Sequence, residues 1–493
     1  MALGMADRRV LAMGLLGILM VVMSPLKAQP IAWEGIEDPN IRAAQFDLLM
    51  GDSFAAITQL KADQQLGRIK HRPAQAQFAL GGMYLAYGAH RAAAEIFQTL
   101  GESRQPQQLR DLAWYQLARV QYQRGLKAEA MAALGHIVGE LPAESQQARL
   151  LLMSMLLMEN QRHAEAVIYL RQLGTQSLLR QLGEQSVWAT YGRFNLGVAL
   201  YRQGQEQEGQ KLLEELGVME VQNEEDRALR DKANLTLAYF FLAENDPQRA
   251  QGYFVKTRLE GPMSNRALLG LGRTYSATGQ HKKSLSPWLT LIKRDASDPV
   301  VQDALLAAPF AFGKLNALKQ ALEHYQLALE TYQGELEQLK KAELAVSSGA
   351  MIDNLARAFN NQNMEAQAVL TGLADTGASR YLWPLFATYE FQETLKNYAR
   401  MQLSLGRLEE WSSQIGNSKE LALSQQPDLE IRIVRLQAKL AEMAERVRDY
   451  LRVLALNELE QRKQRLVNYA GEARFSMAQI YDYAAKRWGV NDE

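Results

Sequence analysis

An all-α solenoid, made of short antiparallel helix pairs stacked one after another, is the fold this sequence predicts. Three observations carry the prediction. The composition favours helix, a motif of small and bulky residues recurs down the chain, and a turn-forming Gly or Asn falls between the two halves of most units. Ala, Leu, Gln, Glu and Arg dominate the 493 residues, while Pro numbers only 13; straight-chain residues lose little freedom in a helix. Apolar residues make up 47 % and charged residues 22 %, an ordinary globular mixture. Lys+Arg and Asp+Glu both total 55, so no basic excess points to nucleic acid. Cysteine is absent, which excludes disulfides, thiolate metal sites and Cys nucleophiles.

The first element, residues 1–28, reads as an export segment. Arg8-Arg9 precede an apolar stretch from Val10 to Met23, and Ser24-Pro25-Leu26-Lys27-Ala28 supplies a breaker and a small residue before Gln29. Fourteen apolar residues are short for a bilayer span, which needs about 20. A cleaved signal and a periplasmic location are the expectation. The alternative is an uncleaved tether to the inner membrane through residues 10–23.

The repeat follows from residue 37. Its clearest unit sets Phe78, Leu80-Gly81 and Tyr84 on one helix, Gly88 at a turn, and Ala93 and Phe97 on a second helix. Two helices approach closely only where a small residue meets another, with large residues filling the flanks. The same order recurs as Trp114, Leu117-Ala118, Gly125, Ala130, Leu134 and Pro142, then as Met153-Ser154, Ala166 and Leu170. It continues as Leu196-Gly197, Gly204 and Leu213, and as Leu237-Ala238, Phe241, Asn245, Ala250 and Phe254. Leu271-Gly272, Tyr275, Gly279 and Trp288 come next, then Phe312, Asn316, Ala321, Tyr325 and Ala328. With a degenerate first unit at Ala43-Ala44, Gly51, Ala56 and Leu60, eight units start 34 to 43 residues apart. The two long spacings flank Leu196, where lengthened loops are expected.

This pattern resembles the tetratricopeptide repeat. The resemblance spans residues 37–335 and implies a right-handed α-solenoid whose first helices line a concave groove. Beyond it the sequence predicts an irregular helical region, 336–426. There Tyr381-Leu-Trp-Pro384 breaks the chain, and Leu395, Leu405-Gly406 and Trp411 echo a repeat. Residues 427–493 form a long-helix extension. Ile433, Leu436, Leu440, Met443, Val447 and Leu454 have heptad spacing, read either as a helix packed on the solenoid end or as a homodimer seam over 428–460. The stretch from Arg474 to Tyr481 reads as a separate capping helix.

Catalytic signatures do not assemble. Gly270-Leu-Gly272 lacks the third Gly and the strand of a dinucleotide fold. The six histidines are scattered without metal-ligand spacing. Glu214-Glu215 and Glu224-Glu225-Asp226 read as solvated charges in or beside loops. An enzyme would have to use Asp353, Asp375, Glu390 and Glu393, none of which has a paired partner. No enzyme activity, cofactor, metal or nucleic acid is expected.

What the resemblance implies instead is a protein partner, held along the first helices by a non-catalytic scaffold or adaptor of the cell envelope. Position by position, it transfers groove roles to Phe78, Leu85, Tyr115, Arg119, Tyr122, Met155 and Met158. Further along come Phe194, Tyr201, Arg202, Tyr239, Arg266 and Arg273, with Leu151 and Leu235 beside them. Aromatic, Met and Arg side chains suit an interface because each buries much area or adds hydrogen bonds. The same positions can instead fill space between neighbouring repeats. The second role considered is a structural part of an envelope export or secretion complex, using the C-terminal helix.

Overall fold

Helix pairs run through the computed structural model, which describes residues 38–69, 73–173, 187–360, 377–417 and 426–487. Among the described residues there are twenty helices and no strand. Residues 1–28, expected to be an export segment, lie outside them, and no described helix is long and apolar enough to cross a membrane. Two compact units divide at Thr278 and Gly279.

In the first unit the pairs are α1 (Pro39–Leu49) with α2 (Ser53–Gln65), α3 (Pro73–Tyr87) with α4 (His90–Glu102), and α5 (Gln107–Gln123) with α6 (Lys127–Gly135). They continue as α7 (Ala143–Glu159) with α8 (His163–Leu173), α9 (Val187–Arg202) with α10 (Glu206–Gly217), and α11 (Glu224–Ala243) with α12 (Pro247–Phe254). Helix α13 (Ser264–Ala277) ends the unit. Each helix packs on the next, and first helices also touch, as α7 does α9 and α11 does α13. This nearest-neighbour packing makes the unit a solenoid.

The motif residues explain the close packing. A Cβ on Gly81 would lie 2.8 Å from the Phe97 ring, and one on Gly197 would lie 2.8 Å from Leu213. In the fifth unit the expected Ala of the second helix is Gly209, whose added Cβ would sit 2.5 Å from the Gly197 carbonyl oxygen. Two glycines face each other there, so no methyl fits. The turns are equally regular: Gly51, Gly88, Gly125, Gly204 and Asn245 all have positive φ, and Gln161 fills the same place in the fourth unit at φ 61°. Those φ values fit Gly and Asn with little strain, whereas Gln161 is held there by the repeat around it.

The lengthened loop expected after the Leu196 unit is absent. Its extra residues instead form additional helix at the start of α11, whose 20 residues make it the longest described helix of this unit. Asn223 caps that end by accepting from the Asp226 amide at 2.8 Å, and Glu224, Glu225 and Asp226 occupy the first turn, where acids complement the helix dipole. The other long spacing falls on residues 174–186, outside the described chain.

The second unit opens with α14 (His281–Leu291), α15 (Pro299–Lys314) and α16 (Leu318–Ser347). Ala321, Tyr325 and Ala328 are buried on α16, and Asn316 makes the turn at φ 59°. The expected boundary at 335/336 falls inside this 30-residue helix. The helix continues because Leu339, Ala342 and Val346 keep its buried stripe going. It ends at Gly349, φ 75°, before α17 (Ala350–Asn360). Pro384, expected to break the chain, lies within α18 (Ser379–Phe386), which ends two residues later. The repeat echo at Leu395, Gly406 and Trp411 is one continuous helix, α19 (Tyr389–Asn417), with no turn at Gly406. Likewise Arg474–Tyr481 is no separate cap but part of α20 (Gln426–Arg487), 62 residues long.

One face of α20 supplies Ala444, Leu451, Ala455, Leu459, Leu466, Ala470 and Ala473 to the core formed with α16, α18 and α19. Of the heptad residues, Ile433 is buried, Leu440, Val447 and Leu454 are half-buried, and Leu436 and Met443 remain exposed. The chain itself occupies much of the seam that a homodimer would have used.

Candidate partner-binding surface

The row of first helices, α3, α5, α7, α9, α11 and α13, holds the residues to which the resemblance assigned the groove. Burial divides them. Phe78, Leu85, Tyr115, Arg119, Leu151, Met155, Met158, Phe194, Leu235 and Tyr239 are all in the core. Phe78 meets Phe97 edge-on with ring centroids 5.4 Å apart, and Tyr239 meets Phe254 in the same manner at 5.3 Å. Arg119 donates to Gln116 Oε1 at 3.0 Å over the Tyr115 ring. Neighbouring first helices approach closely enough that these side chains fill the space between repeats. Tyr122, Tyr201, Arg202, Arg266 and Arg273 keep partial exposure. Tyr201 stacks on Phe240 at 3.7 Å, and burial draws the Arg202 guanidinium below its usual range.

The residue that distinguishes this surface is Lys232 on α11, which the sequence reading passed over. Its side chain is 7 % exposed, and its ammonium sits 4.9 Å from the centre of the Phe194 ring. Among the described residues no carboxylate faces it. Burial, with the Arg266 guanidinium adding repulsion, pulls its pKa down from 10.5 to about 8. The Arg266 backbone carbonyl accepts from the Tyr239 hydroxyl at 3.1 Å. Asn195, next to Phe194, is also buried, and its Nδ2 has no acceptor among the described residues. Buried ammonium groups are ordinarily paired, because losing hydration costs several kcal/mol. An aromatic face recovers roughly 0.5–2 kcal/mol of that cost. A signal for Lys232 was available: it stands five residues before Leu237, as Arg266 stands five before Leu271.

The acidic residues elsewhere have protein partners as well as solvent: Glu215, Glu224 and Glu225 are exposed. Glu214 accepts from the Tyr253 hydroxyl and Glu215 pairs with Arg193 at 2.9 Å. Glu224 pairs with Arg258 at 2.9 Å, and Glu225 accepts from the Tyr191 hydroxyl at 2.7 Å. Asp111 and Asp231, fully buried six residues before Leu117 and Leu237, perform one job twice. Asp111 accepts from the amides of Val138 and Gly139 at 3.2 and 2.9 Å, closing the loop after α6. Asp231 accepts from Arg258 Nε at 2.6 Å after α12.

In the second unit, Asp353 accepts from Tyr398 Oη at 2.7 Å and from Arg448 at 2.9 Å, beside a cavity of about 260 Å³. Burial and that carboxylate push the Tyr398 phenol up to about 12. With both Asp353 oxygens engaged, the group clasps α17, α19 and α20 together. Glu390 accepts from Tyr450, Glu393 pairs with Lys396 at 3.5 Å, and Asp375 lies outside the described residues. Among the described residues no three His, Asp or Glu side chains gather as a metal site would require.

The helix-pair geometry of the first unit is that of an all-α solenoid of tetratricopeptide-like units. No protein-family model and no curated protein matches the chain. Among solved structures it is similar to the apo form of RapI, at 11 % identity over 83 % of this chain and 96 % of that one, with a TM-score of 0.37. It is also similar to PilW, described as a type IV pilus biogenesis factor, at 17 % identity over 48 % and 99 %, TM-score 0.33. A Podosopora anserina kinesin light chain with TPR-like repeats matches at 19 % identity over 39 % and 97 %, TM-score 0.31.

Proposed function

We propose that the chain is a non-catalytic interaction scaffold of the bacterial cell envelope, gripping a carboxylate-bearing segment of a partner protein along its first helices. One observation carries this reading: Lys232 holds a buried ammonium against an aromatic wall, with no counter-ion among the described residues. A partner's carboxylate supplies the missing charge and restores the amine's affinity for its proton. Charge-assisted hydrogen bonds of this kind are shorter and roughly twice as strong as neutral ones. Arg266 lies close enough to share the anion's charge, and half-buried Tyr201 and Arg202 offer rim contacts.

Export by residues 1–28 places the scaffold in the periplasm, either released after Ala28 or tethered through residues 10–23. Mass spectrometry of the N-terminus from fractionated cells separates these states, and recovery of the chain in the cytosolic fraction would remove the envelope from the proposal. For the grip, immobilised wild-type chain, Lys232→Met and a control, Arg171→Ala on the second helix α8, are incubated with envelope extract. Partners retained by the wild type and control but lost from Lys232→Met support the grip. Equal retention by all three would sink it.

A further inference from the structure

The first repeat carries an apolar turn between its two helices that the later within-pair turns of its unit do not share. Between α1 and α2, Phe46, Leu49, Met50 and Phe54 are exposed by 62, 70, 71 and 41 %. At the same place in later repeats the chain reads Arg124-Gly125, Asn160-Gln161-Arg162, Gln203-Gly204-Gln205 and Glu244-Asn245-Asp246. None of those turns exposes a large apolar side chain. A terminal repeat ordinarily needs a polar outer surface to stay soluble. Here that end is the apolar one, which marks a covered surface.

We infer that this turn rests in the interface of the same bilayer that receives residues 10–23, with those residues retained as the anchor. The lengths permit it. Fourteen residues separate Met23 from Asp38 and reach at most about 50 Å, while the turn lies about 16 Å along α1 from Pro39. Phe, Leu and Met are side chains that enter the headgroup–acyl boundary. The only charges at the turn are Asp47 and Asp52, and Asp52 caps α2 through the Ala55 amide at 3.0 Å. With no Lys or Arg at the turn, attraction to anionic lipid plays no part, and contact is no stronger on anionic than on zwitterionic membranes.

Because the chain has no cysteine, Leu49→Cys places a unique thiol on the turn, and Gln65→Cys places one at the opposite end of α2. Each full-length variant is labelled with an environment-sensitive fluorophore and reconstituted in phosphatidylcholine vesicles, with and without nitroxide-bearing lipid. The expected result is a blue-shifted emission, quenched by the nitroxide lipid, at Leu49→Cys and not at Gln65→Cys. Adding Phe46→Glu and Met50→Glu removes both effects while the helical circular dichroism spectrum is kept. An unshifted emission at Leu49→Cys overturns the inference. So does a blue shift insensitive to nitroxide lipid, which would mean that the turn is covered by protein, whether this chain or a second copy.

Discussion

Replacing Lys232 by Met makes the protein more stable at neutral pH. Folding lowers the amine's pKa from 10.5 to about 8, so the unfolded chain binds this proton more tightly than the folded one. The sign follows from that inequality. Above pH 10.5 the amine is neutral in both states and costs nothing. As pH falls from 10.5 towards 8 the unfolded chain takes up the proton first and stability is lost. Below about 8 the loss is constant. A difference of 2.5 pKa units is about 3 kcal/mol, from 1.36 kcal/mol per unit. Methionine keeps an unbranched apolar stem against Phe194 and carries no charge. Lys232→Met should therefore gain up to about 3 kcal/mol at pH 7, and the gain should shrink to near zero above pH 10.5. Urea unfolding at pH 7, 8, 9 and 10 measures it, read as a midpoint shift of about 1 M at pH 7 for a slope near 3 kcal/mol/M. A variant less stable than wild type at pH 7, or a gain that does not change with pH, would refute the argument. The stabilising change is also the one that should abolish partner retention, a trade common at binding sites.

Asp111→Ala leaves the amides of Val138 and Gly139 without their acceptor and should cost about 1–3 kcal/mol in urea unfolding; a change below 0.5 kcal/mol would deny Asp111 its role as loop clasp. Gly209→Ala restores the residue the repeat pattern favours, yet its methyl would lie 2.5 Å from the Gly197 carbonyl oxygen, so destabilisation of about 1–3 kcal/mol is expected by calorimetry. The Tyr398 phenol, pushed up to about 12, gives the second unit stability that is complete below pH 10 and lost as pH rises from 10 to 12. Tyr398→Phe should weaken that alkaline loss, followed by the phenolate absorbance near 295 nm. Light scattering should give a single-chain mass, and deletion of residues 428–493 should unfold α16 and α19 rather than halve an oligomer.

Much of the fold was legible because the repeat is written in contacts that admit few residue types. Gly81 against Phe97, Ala93 and Ala130 at zero exposure, and the positive-φ glycines each leave a mark in sequence. Gln161 at φ 61° leaves none, since nothing about a glutamine announces a left-handed turn. The added residues before Leu237 looked like loop because spacing alone does not say which element absorbs them. Beyond residue 335 the motif lapses, and buried stripes decide the helices instead; Pro384 is tolerated so near the end of α18 that it breaks little. The groove was legible only as a helix row. How closely neighbouring first helices approach decides which side chains are filler, and that distance is not a property of one repeat. Lys232 was missed because a lysine on a helix is ordinarily solvated, and only its neighbours bury it.

On the proposed function, a partner's carboxylate docks on the first-helix row around Lys232. Site-specific photocrosslinking in living cells tests it most directly, with a photoreactive residue at Arg266 and, for comparison, at Glu208 on the second helix α10. A crosslinked species formed from position 266, absent from 208 and lost when Lys232→Met is added, is the predicted result. Crosslinks that form equally at 208, or that survive Lys232→Met undiminished, would contradict it.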